Sequence, residues 1–299
     1  MFEAKGIIPA IVTPFTAAEE INEQALRQLV RRVVKGGVHG VFALGTNGEF
    51  FSLSLAEKVR VAEIVVDEVA GKVPVYMGAG AVSTRETIEL ARVFEKAGAD
   101  ALSVITPYFL PYTQPEMVDH FTRLAAATAL PIVLYNIPAR AGTAINPPTL
   151  AQLARIPNIV GVKDSSGNFD NILKYISSTD SQFSVLAGTD SLILPALMSG
   201  GRGAIAATAN LLPEVVVSIY DNWQKGEFAK AQEAQAYLAP IRNLFASGTL
   251  PSVLKESLNM TGIPVGPARR PVAPISDAVR AELLKVLQGY AAAGLVELA

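Results

Sequence analysis

Short apolar runs rich in β-branched residues return at even intervals along the first two thirds of the chain. They are GIIPAIVTPF (6–15), GVFALG (40–45), VPVYMGAG (73–80), ALSVITP (101–107), PIVLYN (131–136), NIVGVK (158–163), FSVLAG (183–188) and GAIAAT (203–208). Between them the apolar residues fall at helical spacing, as at Leu26, Leu29, Val30, Val33 and Val34, or at Ala91, Phe94 and Ala97 with Gly98 in the C′ position. The repeat of roughly 30 residues is the length of one βα unit, and eight such units predict a closed parallel (β/α)8 TIM barrel. The runs are apolar nearly throughout, as strands are when helices cover one face and a packed interior the other. From about residue 211 the pattern changes to helices without strands, at 213–225, 228–246, 251–260 and 275–293. This predicts a barrel domain over residues 1–225 and a C-terminal helical extension over 226–299. A doubly wound sheet would call for a glycine-rich dinucleotide fingerprint after its first strand. The nearest match, GAGAVS (78–83), follows the third run and lacks the last glycine.

Composition narrows the chemistry. The 299 residues are 50% hydrophobic and 17% charged with a net charge of −2, and the basic residues are scattered, which gives no footprint for nucleic acid or anionic lipid. There is no cysteine, so disulfides, thiolate metal sites and cysteine nucleophiles are excluded, and only two histidines, His39 and His120, exclude a multi-histidine metal centre. The N-terminus lacks the basic start, apolar core and cleavage site of a signal peptide, and no apolar run is long enough to span a bilayer unbroken. The expectation is a soluble cytoplasmic protein.

Barrel active sites are built where strands end and the following loops begin. Those positions hold Thr13-Pro14-Phe15, Gly45-Thr46-Asn47-Gly48-Glu49, Thr106-Pro107-Tyr108-Phe109, the segment from Tyr135 to Arg140, Lys163, Gly188-Thr189-Asp190, and Ile205 with Thr208. Lys163 is the only lysine among them. Strand alternation puts it on one face with Gly161 and Ile159, and Gly161 is expected to leave room beside it for a substrate. An amine held out of water is more often neutral and nucleophilic. The ordinary alternative is a solvated lysine, with Asp164-Ser165-Ser166 capping the next helix.

Tyr135, one strand earlier at equivalent depth, suits a proton shuttle, although an amphipathic core tyrosine fits the same position. In the GTNGE turn the glycines, Gly48 among them, permit close backbone approach, and the Thr46 and Asn47 amides can form a concavity for a carboxylate. Lysine, tyrosine and cradle together are parts for a 2-oxo acid. Two rival arrangements are a phosphate-binding barrel using GTDS (188–191), GGRG (200–203) and Arg202, and a non-catalytic small-molecule binder. The first leaves Lys163 unexplained, and the second has no use for a reactive amine.

The motifs PAIVTPF, GTNGE, TPY, YNIPAR, GVKDSSG, GGRGAIAATAN and PVAPI, spread over nearly the whole chain, closely resemble those of the dihydrodipicolinate synthase / N-acetylneuraminate lyase family of class I aldolases. The resemblance implies a (β/α)8 barrel with a C-terminal helical region, a homotetramer or homodimer, and a Schiff base between Lys163 and pyruvate or another 2-oxo acid. It implies no metal or organic cofactor. It makes Tyr135 the general acid/base and Thr46 its relay partner. The Thr46 and Asn47 amides become the carboxylate site, the Ile205 carbonyl a border of the imine, and Arg140 the anchor for the carboxylate of a second aldehyde or keto-acid substrate.

Two departures bear on the reaction. Asn47 replaces the usual second threonine of the turn, and Phe109 replaces the tyrosine that crosses a dimer interface to complete the relay. Tyr108 and Tyr112 are the nearby candidates to replace that hydroxyl. The reading is a pyruvate-dependent lyase or synthase with an acidic second substrate. The alternatives within the class are a 2-keto-3-deoxy sugar-acid aldolase or dehydratase and a 4-hydroxy-2-oxoglutarate aldolase, whose turn GTNGEF resembles.

Overall fold

All eight apolar runs contain a strand, and all but the sixth strand are shorter than their run. A computed structural model describes residues 2–299. It contains β1 (Gly6–Pro9), β2 (Val41–Ala43), β3 (Val75–Gly78), β4 (Ala101–Ile105), β5 (Ile132–Asn136), β6 (Ile159–Asp164), β7 (Ser184–Ala187) and β8 (Gly203–Ala206). Every strand pairs in parallel with its neighbours, from β2 round through β8 to β1. The ring is completed by an Ala10–Phe42 bridge, in which the Ile11 N–H donates to the Phe42 carbonyl at 2.9 Å. Where a run outlasts its strand, as at residues 10–15, Leu44-Gly45 and Thr106-Pro107, the remainder leads into the loops at the C-terminal end of the barrel, where a site is built.

The interior is packed rather than hollow. One residue from each strand joins the inner cluster: Ile8, Phe42, Tyr76, Ala101, Val133, Val160, Leu186 and Ile205. The opposite strand faces, with Ile7, Val41, Val75, Leu102, Leu134, Val162 and Val185, pack against the helices in the larger core. The helix Glu23–Lys35 buries Leu26, Leu29, Val30 and Val33, as its spacing predicts, and Asn22 caps it by accepting from the Ala25 N–H.

β6 departs from simple alternation. Its ladder with β5 slips by one residue between the pairs Ile132–Ile159 and Val133–Gly161. Ile159 therefore packs in the outer core and Val160 in the inner cluster. The expectation that Ile159 shares the face of Lys163 is overturned by this bulge, which no period-2 reading reveals.

Beyond the barrel, the helix expected over 228–246 is broken into Phe228–Ala236 and Ala239–Leu244, because Pro240 has no N–H for a continuous ladder. Ser252–Asn259 and Asp277–Ala292 follow, the latter capped by Ser276. Among the described residues no helix is long and apolar enough to cross a membrane.

Candidate active site

Tyr135 and Lys163 are direct Cα partners across the β5–β6 ladder, so they face the same way at the same depth. Lys163 is buried, with Nζ 3.9 Å from the Tyr135 ring centroid and 5.3 Å from that of Phe42. The ring faces tolerate a cation but offer it no counter-charge beyond their quadrupole. The adjacent carboxylate, Asp164, points to the other face of the strand. There it accepts from Asn136 Nδ2 at 2.6 Å, Ser166 Oγ at 2.6 Å and Asn171 Nδ2 at 3.0 Å, and burial raises its pKa. Asn136 is itself held by the Ile145 N–H, which its Oδ1 accepts at 3.0 Å. The residues that follow Tyr135 and Lys163 therefore lock the two strand ends together while leaving the amine unpaired among the described residues.

The turn after β2 supplies the third component. Thr46 Oγ1 lies 3.2 Å from the Tyr135 hydroxyl, with either oxygen able to donate. Leu44 and Glu49, on either side of the turn, both take left-handed backbone conformations (φ 60° and 54°). Glu49 N–H closes the turn onto the Thr46 carbonyl at 3.2 Å, and the Thr13 hydroxyl holds the Gly48 carbonyl at 2.7 Å. Among the described residues neither the Thr46 nor the Asn47 N–H donates within the chain, so both amides are available to a ligand. The Asn47 Oδ1 is buried without a partner.

Thr46, Asn47, Tyr135, Arg140, Lys163 and Ile205 all line one cavity of about 660 Å³. This lies within the usual range of roughly 300–1,000 Å³ for small-molecule sites. Gly48 and Tyr108 are not in its wall. Gly48 shapes the turn, and Tyr108 packs edge-on against Phe50, ring centroids 5.9 Å apart. Phe109 has φ 83° and is 87% exposed. The wall also holds residues that the sequence did not single out for this role, above all Ser165, Arg242 and Asn243. Arg242 comes from the helix Ala239–Leu244, outside the barrel, and no strand-end rule points to it. Neither Arg140 nor Arg242 has a carboxylate partner among the described residues.

One expectation is corrected, and two rival readings lose their support. The space beside Gly161 belongs to the neighbouring strand, because a Cβ there would meet the Ser184 carbonyl oxygen at 2.6 Å. The glycine lets β7 approach and does not make room for substrate. The segment 164–166 does not cap the next helix, since Asn168 does so by accepting from the Asp170 N–H. The segment GGRG (200–203) leads into β8 rather than following it, and amides that a phosphate would need are already occupied: those of Gly188, Gly201 and Arg202 donate to the Asp164, Ala196 and Val185 carbonyls at 2.7, 2.8 and 2.9 Å. Arg202 bonds instead to the Ser181 carbonyl and pairs with Glu3, away from the cavity.

Known proteins are similar to this chain along nearly its whole length. The profile of the Dihydrodipicolinate synthetase family matches residues 3–290. A 4-hydroxy-tetrahydrodipicolinate synthase of Methanopyrus kandleri is 43% identical over 286 residues, 95% of each chain. A crystal structure of a dihydrodipicolinate synthase aligns at TM-score 0.93 and 37% identity, covering 96% of this chain and 99% of that one. A prophage protein of E. coli K12, of the dihydrodipicolinic acid synthase family and in complex with pyruvate, aligns at TM-score 0.91 and 33% identity, covering 95% and 98%. With the eight-strand barrel and whole-length likeness in agreement, the chain belongs to the dihydrodipicolinate synthetase family, whose members are aldolase-type lyases.

Proposed function

We propose that the chain is a pyruvate-dependent class I lyase or synthase, a 4-hydroxy-tetrahydrodipicolinate synthase or a close relative with an acidic second substrate. The observation that carries this reading is a buried, unpaired Lys163 beside the Tyr135–Thr46 hydroxyl pair in one cavity. In this mechanism the pyruvate carboxylate accepts from the Thr46 and Asn47 amides. Lys163 Nζ adds to C2, and the former carbonyl oxygen leaves as water after protonation through Tyr135, leaving the C2=N imine. Loss of a methyl proton gives an enamine, whose carbon bonds to the carbonyl carbon of the second substrate. The oxygen generated there takes its proton from the Tyr135–Thr46 relay. Cleavage runs the same steps in reverse. Ile205 borders the imine, and Arg140 holds the second carboxylate with a planar fork. Arg242 adds positive charge to the same wall, which suits an acidic partner.

A second reading, a 2-keto-3-deoxy sugar-acid aldolase or dehydratase or a 4-hydroxy-2-oxoglutarate aldolase, is favoured by the unpartnered Asn47 Oδ1, an acceptor for a substrate hydroxyl. Phe109, which brings no hydroxyl to the relay, points the same way. The test begins with pyruvate and borohydride. One reduced pyruvyl group should map to Lys163, and no adduct, or an adduct on Lys255, would refute the mechanism. Condensation of pyruvate with aspartate semialdehyde, set against cleavage of 2-keto-3-deoxy acids and 4-hydroxy-2-oxoglutarate, then separates the two readings.

The barrel over residues 1–225 is the catalytic unit in this reading, and the extension over 226–299 completes the cavity wall. A homodimer or homotetramer is supported by the exposed apolar side chains Phe51, Leu55, Phe109 and Leu110 on segments after β2 and β4. A cytoplasmic location belongs to the same proposal.

A further inference from the structure

Glu49 closes the carboxylate cradle, yet its own side chain is turned away from the cavity into the protein. It is completely buried. Its Oε1 lies 2.6 Å from Lys255 Nζ, an ion pair without the directionality of a hydrogen bond, and Oε2 accepts the Arg269 N–H at 2.8 Å. Lys255 is equally buried, donates to the Pro267 carbonyl at 2.8 Å and lies over the Phe15 ring, 4.2 Å from its centroid. Arg269 stacks on the same ring and pairs with Glu57 at 2.6 Å. The Glu49 carboxylate thus fastens the turn that follows β2 to the C-terminal segment, and Arg269 adds a tie just beyond it by donating to the Ser52 carbonyl at 2.8 Å.

Stability alone does not explain this arrangement. Desolvating two charges offsets most of their attraction, and an apolar pair of similar volume often stabilises as well. What an ion pair adds is a fixed position. Glu49 holds a left-handed backbone that costs a non-glycine residue on the order of 1–2 kcal/mol, and a side-chain anchor is what keeps that conformation populated.

We propose that Glu49 and Lys255 are positioning residues for the 2-oxo acid. By anchoring the turn from below they aim the Thr46 and Asn47 amides at the carboxylate. The proposal rests on the function proposed above. It predicts a selective effect, because a backbone amide cannot compensate for a displaced turn, whereas the Thr46 hydroxyl can regain Tyr135 by rotating about χ1.

The test is steady-state kinetics, borohydride trapping and thermal midpoints on Lys255→Met, Glu49→Gln and the double variant. Glu49→Gln keeps the acceptor for Arg269 and removes only the ion pair, so it remains informative if Lys255→Met folds poorly. In each folded variant the KM for pyruvate should rise roughly ten- to a hundredfold, as expected for a misplaced binding group. The KM for the second substrate and kcat should change far less, the pattern of a weakened interaction that ground state and transition state share. The double variant should regain thermal stability without regaining the pyruvate KM. An unchanged pyruvate KM, equal rises for both substrates, or recovery of both KM and stability in the double variant would overturn the positioning role. Those results with wild-type protein still trapped on Lys163 leave the proposed reaction standing, whereas failure to trap the wild type removes the reaction and the positioning role together.

Discussion

Lys163 and Lys255 are both buried close to the same turn, and their surroundings assign them opposite tasks. Lys163 stands one residue before the end of a barrel strand, faces a cavity and has aromatic rings beside it but no carboxylate paired with it among the described residues. Lys255 sits on a helix of the extension, paired with Glu49 at 2.6 Å and bonded to a carbonyl. An amine held by a fixed anionic partner is a strut. An amine with space in front of it and a hydroxyl pair beside it is a nucleophile. Burial alone does not distinguish them; the presence or absence of the counter-charge does.

The sharpest break of this comparison is at Lys163. Lys163→Arg keeps the charge but removes an amine able to form an imine, so turnover should fall to background while the protein stays folded. Turnover above background, measured with the second substrate that the wild type uses, would remove Lys163 from the chemistry. Tyr135→Phe deletes one hydroxyl of the shuttle and should slow turnover by roughly 10²–10⁴-fold, with imine trapping retained in part. A rate within a few-fold of wild type would pass the proton-transfer role to another group.

The opposite effect is expected at the strut. Lys255→Met leaves Glu49 buried without its partner and should cost about 3–5 kcal/mol of stability in denaturant unfolding. Burial lowers the Lys255 pKa to about 8 despite the pull of Glu49. The unfolded chain keeps that proton up to about 10.5, so between these values it binds more protons than the folded chain. The contribution of Lys255 to stability therefore rises with pH across this window and is lost as pH falls through about 8. Lys255→Met should flatten that slope in unfolding curves recorded across the window, and an unaltered slope would assign the titration elsewhere.

The smallest effect sharpens the cavity side. Arg140→Ala should raise the KM of the acidic second substrate by about ten- to a hundredfold, the equivalent of roughly 1.5–3 kcal/mol, and that of pyruvate much less. Arg140→Lys should recover only part of the loss, because a point charge does not reproduce the fork. Equal effects on both substrates would end the case for Arg140 as a selective anchor.

The strand rhythm, the helical spacing around Leu26 to Val34 and the position of Lys163 at the end of an apolar run were all legible in the sequence, because burial on both strand faces imposes them. Tyr135 and Thr46 were legible as strand-end residues, and the motifs around them carried the family. Distances and partners were not. The Tyr135–Lys163 register, the slip that moves Val160 inward and the use of Gly161 to admit β7 depend on how neighbouring strands meet. Arg242 reaches the cavity only because a helix more than 75 residues beyond Lys163 folds back over the barrel mouth. Nothing in the local pattern separates Lys255 from an ordinary helical lysine; only the fold brings Glu49 to it. The sequence by itself determined which groups can do chemistry and which residues must be buried, since side-chain chemistry and apolar periodicity are local. The tertiary structure decided which lysine is paired with a carboxylate and which stands without one beside the Tyr135–Thr46 hydroxyls, because these neighbours are brought together by segments far apart in the chain.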